Sequence, residues 1–226
     1  MATLASSARR SLASCPPHCR SFFNFPSPFP SSSSASNAPE RHGTLVKKNG
    51  IWQYRESKVM PYSPNQLYSV IADVDSYIHF LPFTTSSRVL SAAVLSPNGG
   101  KTPQPLAQKP WLKEGEGERW EMDAELRIGA MGFDEGYVSR VEVEKGRWVK
   151  ATAKDASMFR YLANLWSFSP FPPSSTAPQT RVDLSLDYAF TSPLHAAAIS
   201  TVWDKVSALM VRKFEERVEK VHGKQR

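Results

Sequence analysis

Residues 119–128 read Arg-Trp-Glu-Met-Asp-Ala-Glu-Leu-Arg-Ile: every even position is apolar and every odd one charged. Successive side chains leave a strand on opposite faces, so this pattern specifies a half-buried antiparallel strand. Downstream, Gly129, Gly132 and Gly136 surround a turn. Tyr137–Glu144 then alternates again, with Tyr137, Ser139, Val141 and Val143 on one face and Arg140, Glu142 and Glu144 on the other. Lys145-Gly146 turns the chain into a strand over Arg147–Lys154, and Asn164–Phe168 reads as a short strand. Arg181–Phe190 sets Val182, Leu184, Leu186, Tyr188 and Phe190 inward. Upstream, Ile51–Met60 alternates around Trp52 and Tyr54 and stops at Pro61, and Thr84–Leu95 has the Val, Thr and Leu content of a strand.

Helical spacing appears in three places. Ser63-Pro64-Asn65-Gln66 has the form of a capping box with Pro at the first helical position, ahead of Leu67, Val70, Ile71 and Val74. A second short helix is expected over Asp75–Leu81, stopped by Pro82. The third is long: Ser192 and Pro193 can start it, and Val202, Val206, Met210, Phe214, Val218 and Val221 form an i, i+4 stripe widened by Trp203 and Leu209. At ~28 residues it would be roughly 40 Å long. One strand, two short helices, five or six strands and a long helix make an α+β fold with an antiparallel sheet. The helix must bury its stripe on the concave face of that curved sheet. A rod on a curled sheet leaves a gap, and such gaps become small-molecule pockets.

Two stretches stand outside this pattern. Residues 96–117 carry Pro97, Asn98, Gly99, Gly100, Pro103, Pro105 and Pro110, and are expected to be a mobile surface insertion without regular structure. Residues 1–39 contain no Asp or Glu, eleven serines, and Arg9, Arg10 and Arg20. That is transit-peptide composition, and residues 1–42 are read as a mitochondrial transit segment, with a plain disordered tail as the competing reading. Residues 43–226 are read as the folded domain. Setting aside residues 1–42, with Arg9, Arg10, Arg20, Arg41 and Glu40, lowers the chain's net charge of +7 by three. The remaining excess suits an anionic membrane or RNA and compels neither.

The chemistry-bearing residues argue against catalysis. Cys15 and Cys19 flank His18 in the presumed leader, so residues 43–226 offer no disulfide, thiol nucleophile or Cys-based zinc site. His18, His42, His79, His195 and His222 are scattered, and Asp73 and Asp75 read as helix caps. Glu114, Glu116 and Glu118 fall at the presumed insertion, a poor place for a rigid site. No GxSxG, P-loop or GxGxxG occurs, and no metal or catalytic residue is expected.

The order of elements resembles the helix-grip fold of the START/polyketide cyclase superfamily. Val74-Asp75-Ser76-Tyr77-Ile78-His79-Phe80-Leu81-Pro82-Phe83 is similar to the V-x-x-Y-x-x-F-[VIL]-P-[WFY] segment of the mitochondrial coenzyme Q-binding protein family. Phe159-Arg160-Tyr161-Leu162-Ala163-Asn164-Leu165-Trp166-Ser167-Phe168 is similar to that family's F-x-x-L-x-x-x-W-x-F segment, and Tyr188-Ala189-Phe190 with Phe214-Glu215-Glu216-Arg217 extends the likeness to residues 51–221. Thr84 stands where many members carry Cys, and the 96–117 insertion is longer than usual. Trp111 within it gives some support to a membrane-contacting loop.

The resemblance implies a non-catalytic ubiquinone-binding protein, peripheral on the matrix side of the mitochondrial inner membrane. It would act as a lipid chaperone or carrier for respiratory electron transport and ubiquinone biosynthesis, and could serve respiratory or biosynthetic complexes, with no nucleic acid as partner. The family's cavity mouth or wall maps onto Phe80, Leu81, Pro82, Phe83, Phe159, Leu162, Trp166, Met210 and Phe214, each equally able to be ordinary core. Tyr137, Ser139 and Asn164 are candidate donors to the ring carbonyls. Each buried CH₂ is worth about 0.8 kcal/mol, so a few isoprene units supply ample affinity. Arg212, Lys213, Arg217 and Lys220 are candidate membrane contacts, or simply a solvated face. An aromatase or cyclase of the same superfamily, and a ribosome- or RNA-binding protein, are the alternatives.

Overall fold

Alternation becomes register in the sheet. A computed structural model describes residues 43–113, 117–130, 133–171, 178–193 and 203–225. Nine strands lie among them: β1 (Thr44–Lys48), β2 (Ile51–Met60), β3 (Thr84–Leu95), β4 (Lys101–Pro103), β5 (Arg119–Ala130), β6 (Phe133–Glu144), β7 (Trp148–Ala156), β8 (Phe159–Pro170) and β9 (Thr180–Phe190). They form one antiparallel sheet in the order β1-β2-β9-β8-β7-β6-β5-β3-β4. The even residues of β5 face inward as their pattern requires, with Trp120, Met122 and Ala124 at most 4% exposed. Met122 sits opposite Val141 of β6, and Val141 opposite Ala151 of β7, so each inward position continues its neighbour's layer. The fold is the α+β arrangement expected: a curved antiparallel sheet with a C-terminal helix and short helices after β2.

Three strand assignments differ from the sequence reading. β1 has five residues, four of them exposed, and no alternation; it pairs as an edge strand on β2. β4 is three residues long and pairs with the end of β3. β8 begins at Phe159 rather than Asn164, because a bulge opposite β9 between Phe159 and Tyr161 shifts the alternation. After the bulge Leu162 lies opposite Tyr188, Asn164 opposite Leu186 and Trp166 opposite Leu184.

Helix α1 (Pro64–Ile71) starts with the capping box its sequence specifies: Gln66 N–H donates to Ser63 Oγ at 3.3 Å and Ser63 N–H to Gln66 Oε1 at 2.8 Å. The next segment is a 3-10 turn, Val74–His79, not an α-helix. The terminal helix α2 is described over Trp203–His222; its expected start at Ser192-Pro193 leads into 194–202, which lie outside the described residues, as do 1–42. On α2, Phe214 and Val218 are buried, whereas Val221 is exposed and leaves the stripe. The C-terminal end of α2 is tied to α1: the His222 ring lies 3.2 Å from Ser69 Oγ and 3.1 Å from the Gln66 carbonyl oxygen. Gly146 (φ +71°) turns β6 into β7 against α1, where a Cβ would fall 2.3 Å from Asn65 Oδ1.

The expectation of an unstructured 96–117 insertion is corrected for its described part. Besides β4, Pro110–Leu112 forms a 3-10 turn that inserts Trp111 into the core with no exposed surface. Trp111 Nε1 donates to the Ala72 carbonyl (3.3 Å), and Tyr68 Oη donates to the Trp111 carbonyl (2.8 Å). A membrane contact through this side chain is therefore excluded. Asp73 holds the N-cap position of the Val74–His79 turn but its side chain makes no capping bond, and Asp75 lies inside the turn. They clasp Lys109 Nζ at 2.6 and 3.1 Å, and Asp75 Oδ1 also accepts from Val89 N–H at 2.7 Å. Glu118 is held by buried Lys145 and by Trp120 Nε1. Prolines prevented a long regular element here, but an indole with a free N–H gained more by entering the core than by staying in water.

Trp111→Ala should therefore cost about 3–5 kcal/mol in denaturant unfolding, the range for deleting a buried aromatic side chain. A loss under about 1 kcal/mol would return the segment to the surface.

Candidate functional site

Between the sheet and α2 the side chains do not meet. The gap is a cavity whose empty volume, counting its open mouth, is about 1160 Å³. Its floor comes from inward positions of five adjacent strands: Leu126 and Ile128 of β5, Tyr137 and Ser139 of β6, Ala151 of β7, Leu162 and Asn164 of β8, Leu186 of β9. Its roof is the α2 stripe of Val206, Met210 and Phe214, and Tyr77, Leu81 and Thr84 close one side. Small residues at Ala124 and Ala151 lower the floor where larger ones would fill it.

Besides the hydroxyls of Tyr54 and Tyr77, four polar groups sit in this mostly apolar wall: the Thr84, Tyr137 and Ser139 hydroxyls and the Asn164 amide. None has a hydrogen-bond partner among the described residues. A buried polar group without a partner is costly, so such groups call for a ligand or water. The other two tyrosines are engaged: Tyr77 Oη donates to the Ile71 carbonyl, and Tyr54 Oη to Glu56 Oε2 at 2.5 Å. Burial pushes the Tyr137 phenol up to about 12, so it stays a neutral donor across the physiological range. Burial, with repulsion from Asp73 and Tyr137, raises Tyr77 too. No carboxylate, imidazole or amine is found among the described residues lining the cavity.

Of the residues singled out in the sequence, Leu81, Tyr137, Ser139, Leu162, Asn164, Trp166, Met210 and Phe214 lie on this wall. Phe80, Pro82, Phe83 and Phe159 do not. Phe80 sits edge-on to Tyr77 (5.7 Å between centroids) and to Phe214 (5.3 Å), bracing two wall residues. Phe159 stands edge-on to the Tyr137 ring at 6.3 Å and stacks on Phe190 at 5.1 Å. Pro82 leads into Phe83, which takes a left-handed φ of +66° while its carbonyl accepts from Gly129 N–H at 2.8 Å. That conformation is strained for a bulky residue, and it brings Thr84 onto the wall. Sequence reasoning missed Tyr54, Tyr77, Thr84, Leu126, Ile128 and Leu186. Strand alternation had set Leu126, Ile128 and Leu186 inward, but which inward residue meets a void and which meets another side chain depends on how high α2 rides.

The basic residues of α2 divide. Arg217 is half-buried with its guanidinium 5.5 Å from the Phe80 ring centroid, and Lys213 pairs with Glu216 at 2.6 Å. Arg212 and Lys220 are exposed and have no partner among the described residues. No helix among those residues is long and apolar enough to cross a membrane, and no cluster of potential metal ligands occurs among them.

The chain is similar in sequence and in fold to known proteins. The chain is 32% identical over 174 residues to the mitochondrial coenzyme Q-binding protein COQ10 homolog B of Xenopus laevis, covering 76% of this chain and 60% of the relative. It is 28% identical over 189 residues to the mitochondrial coenzyme Q-binding protein COQ10 of Dictyostelium discoideum, covering 84% and 78%. The ribosome association toxin RatA of Escherichia coli K12 is 25% identical over 181 residues, covering 80% and 96%. Among solved structures, the Zhui aromatase/cyclase of Streptomyces sp. R1128 superposes with a TM-score of 0.54 at 14% identity, over 75% of this chain and 94% of that one, a likeness of fold. The profile of the family described as polyketide cyclase / dehydrase and lipid transport matches residues 60–215, from the end of β2 to Glu215 of α2, and the chain belongs to that family.

Proposed function

We propose that this protein binds ubiquinone, with the quinone ring in the cavity under α2. The observation that carries the reading is that Tyr137, Ser139 and Asn164, on two strands of the floor, present unpartnered polar groups in a mostly apolar wall. All three can donate a hydrogen bond, and the ring carbonyls of a quinone accept them. The apolar remainder suits isoprene units, each buried CH₂ contributing about 0.8 kcal/mol. The frog and amoebal relatives carry coenzyme Q binding in their names, which supports the same ligand class.

The role that follows is carriage rather than catalysis. Tyrosines are the only ionisable groups among the described lining residues, and with no carboxylate, imidazole or amine among those residues to exchange a proton with, the Tyr137 phenol is suited to holding a carbonyl by a hydrogen bond. A chaperone of this kind would serve respiratory electron transport and ubiquinone biosynthesis. Residues 1–42, read as a transit segment, and the relatives' mitochondrial names support a mitochondrial location. Arg212 and Lys220, with Lys213 and Arg217 beside them, would meet anionic headgroups on the matrix face of the inner membrane, each basic residue adding about 1 kcal/mol.

Three measurements test this. Organic extracts of the purified protein, analysed by mass spectrometry, should contain ubiquinone; recovered RNA or turnover of a polyketide would favour the other functions. Tyr137→Phe and Asn164→Leu should each weaken short-tailed ubiquinone binding by about two- to tenfold, the value of one hydrogen bond, with affinity flat below about pH 10. Unchanged affinity in both variants would remove these donors from the site. In liposome flotation, Arg212→Glu with Lys220→Glu should abolish the cardiolipin-dependent part of binding, whereas equal wild-type flotation with and without cardiolipin would remove the electrostatic contribution.

A further inference from the structure

The unpartnered polar groups of the cavity floor lie on either side of a single strand, β7. Val141, Ala151 and Asn164 stand level across β6, β7 and β8, and Ser139 stands level with Ala153. Residues paired across a ladder share a face, so Ala153 points inward with Ser139. Ser139 and Asn164 are therefore related by a diagonal. It runs two strand spacings across, about 9.6 Å, and two residues along, about 6.8 Å, or about 12 Å between Cα atoms. Side chains on a concave face lean toward one another, which brings the Ser139 hydroxyl and the Asn164 amide closer than their backbones. Tyr137, the next inward position along β6, adds its phenol to the Ser139 side. Under the diagonal both inward residues of β7 are alanine, Ala151 and Ala153, whereas leucines occupy inward positions around them at 126, 162 and 186. The fourth unpartnered group, Thr84, is on β3, two strands beyond β6 and away from Asn164.

We propose that the alanine trough of β7 gauges a six-membered ring with two opposite carbonyls. The ring lies across Ala151 and Ala153, one carbonyl oxygen accepting from Ser139 and Tyr137 and the other from the Asn164 amide. The inference rests on the quinone reading above and adds the pose of the ring and the residues that set its specificity. In a para-quinone, C=O bonds of about 1.23 Å extend from opposite ends of a ring about 2.8 Å across, so the oxygens are about 5 Å apart. A hydrogen bond of about 2.9 Å at each end puts the donor atoms about 8–11 Å apart, according to its angle. The diagonal from β6 to β8 offers that span. The adjacent carbonyls of an ortho-quinone share one edge of the ring and reach β6 or β8, not both. Ala151 and Ala153 act through the room they leave: a larger side chain at either would lift the ring away from its donors.

The test uses short-tailed ubiquinone carrying carbon-13 at one ring carbonyl or at the other, bound to the full chain and read by infrared difference spectroscopy. In the wild-type protein both carbonyl bands should fall below their positions in an apolar solvent. Asn164→Leu should return one band to the apolar-solvent position and leave the other shifted; Ser139→Ala with Tyr137→Phe should do the converse. By tryptophan fluorescence, the para-quinone should bind at least about tenfold more tightly than its ortho isomer, the worth of the hydrogen bonds the isomer cannot make. Ala151→Leu should weaken the para-quinone at least about tenfold and erase that preference. Both sets of donor variants releasing the same carbonyl, equal binding of the two isomers, or a preference that survives Ala151→Leu overturns this inference alone. Failure of the para-quinone to bind, or binding with both bands unshifted, overturns the functional reading and this inference with it.

Discussion

The ring of Phe214 decides where the interior is solid and where it is hollow. It meets Tyr77 and Phe80 edge-on at 5.3 Å each and lies 5.1 Å from Trp166. These contacts join α2 to the turn after α1 and to β8, on opposite sides of the chain's fold. Toward the C-terminal end of α2, Val218 closes on Leu67 and Ile71 in a filled core. Toward the other end, Met210 and Val206 face residues they do not reach, and the space left is the cavity. Edge-to-face aromatic pairs add about 0.5–1.5 kcal/mol each beyond their buried area, enough to hold the helix up without packing beneath it.

A hollow needs a reason to persist, since an apolar void forfeits dispersion contacts along its whole lining. Here the cost is met by the wider sheet. Nine strands carry the backbone hydrogen bonding, and the buried side chains of Trp120, Met122 and Val143 belong to the core without lining the cavity. Trp111 adds a second anchor on the far side, through Ala72 and Tyr68. The cavity wall is thereby relieved of holding the fold together, which leaves Tyr137, Ser139 and Asn164 free to stay unpaired.

Much of this was legible in the sequence because period-two patterning and cap chemistry are local. The even positions of 119–128 and the Ser63–Gln66 box needed no tertiary information. The inward placement of Tyr137 and Ser139 was legible as well: they share one face of β6 with Val141, a pair of polar groups in an apolar row. What stayed hidden was non-local. β1 is a strand only because β2 offers it an edge. The β8 bulge hid five strand residues by changing phase. Trp111 sat in a proline-rich stretch whose composition says surface, and only Ala72 and Tyr68 make it core. Phe80 and Phe159, drawn from the family likeness as pocket residues, stand one ring behind the wall and position those that line it.

On the proposed reading a quinone ring lies beneath Phe214 against β6 and β8. Isotope-filtered NOEs between an unlabelled short-tailed ubiquinone and the carbon-13-labelled protein test it directly. Cross-peaks from the ring methoxy and methyl protons to Tyr137, Ser139, Leu162 and Met210 are the predicted result. Cross-peaks confined to outward-facing side chains such as Val59, Leu90 or Tyr161, with none to those four, would contradict it.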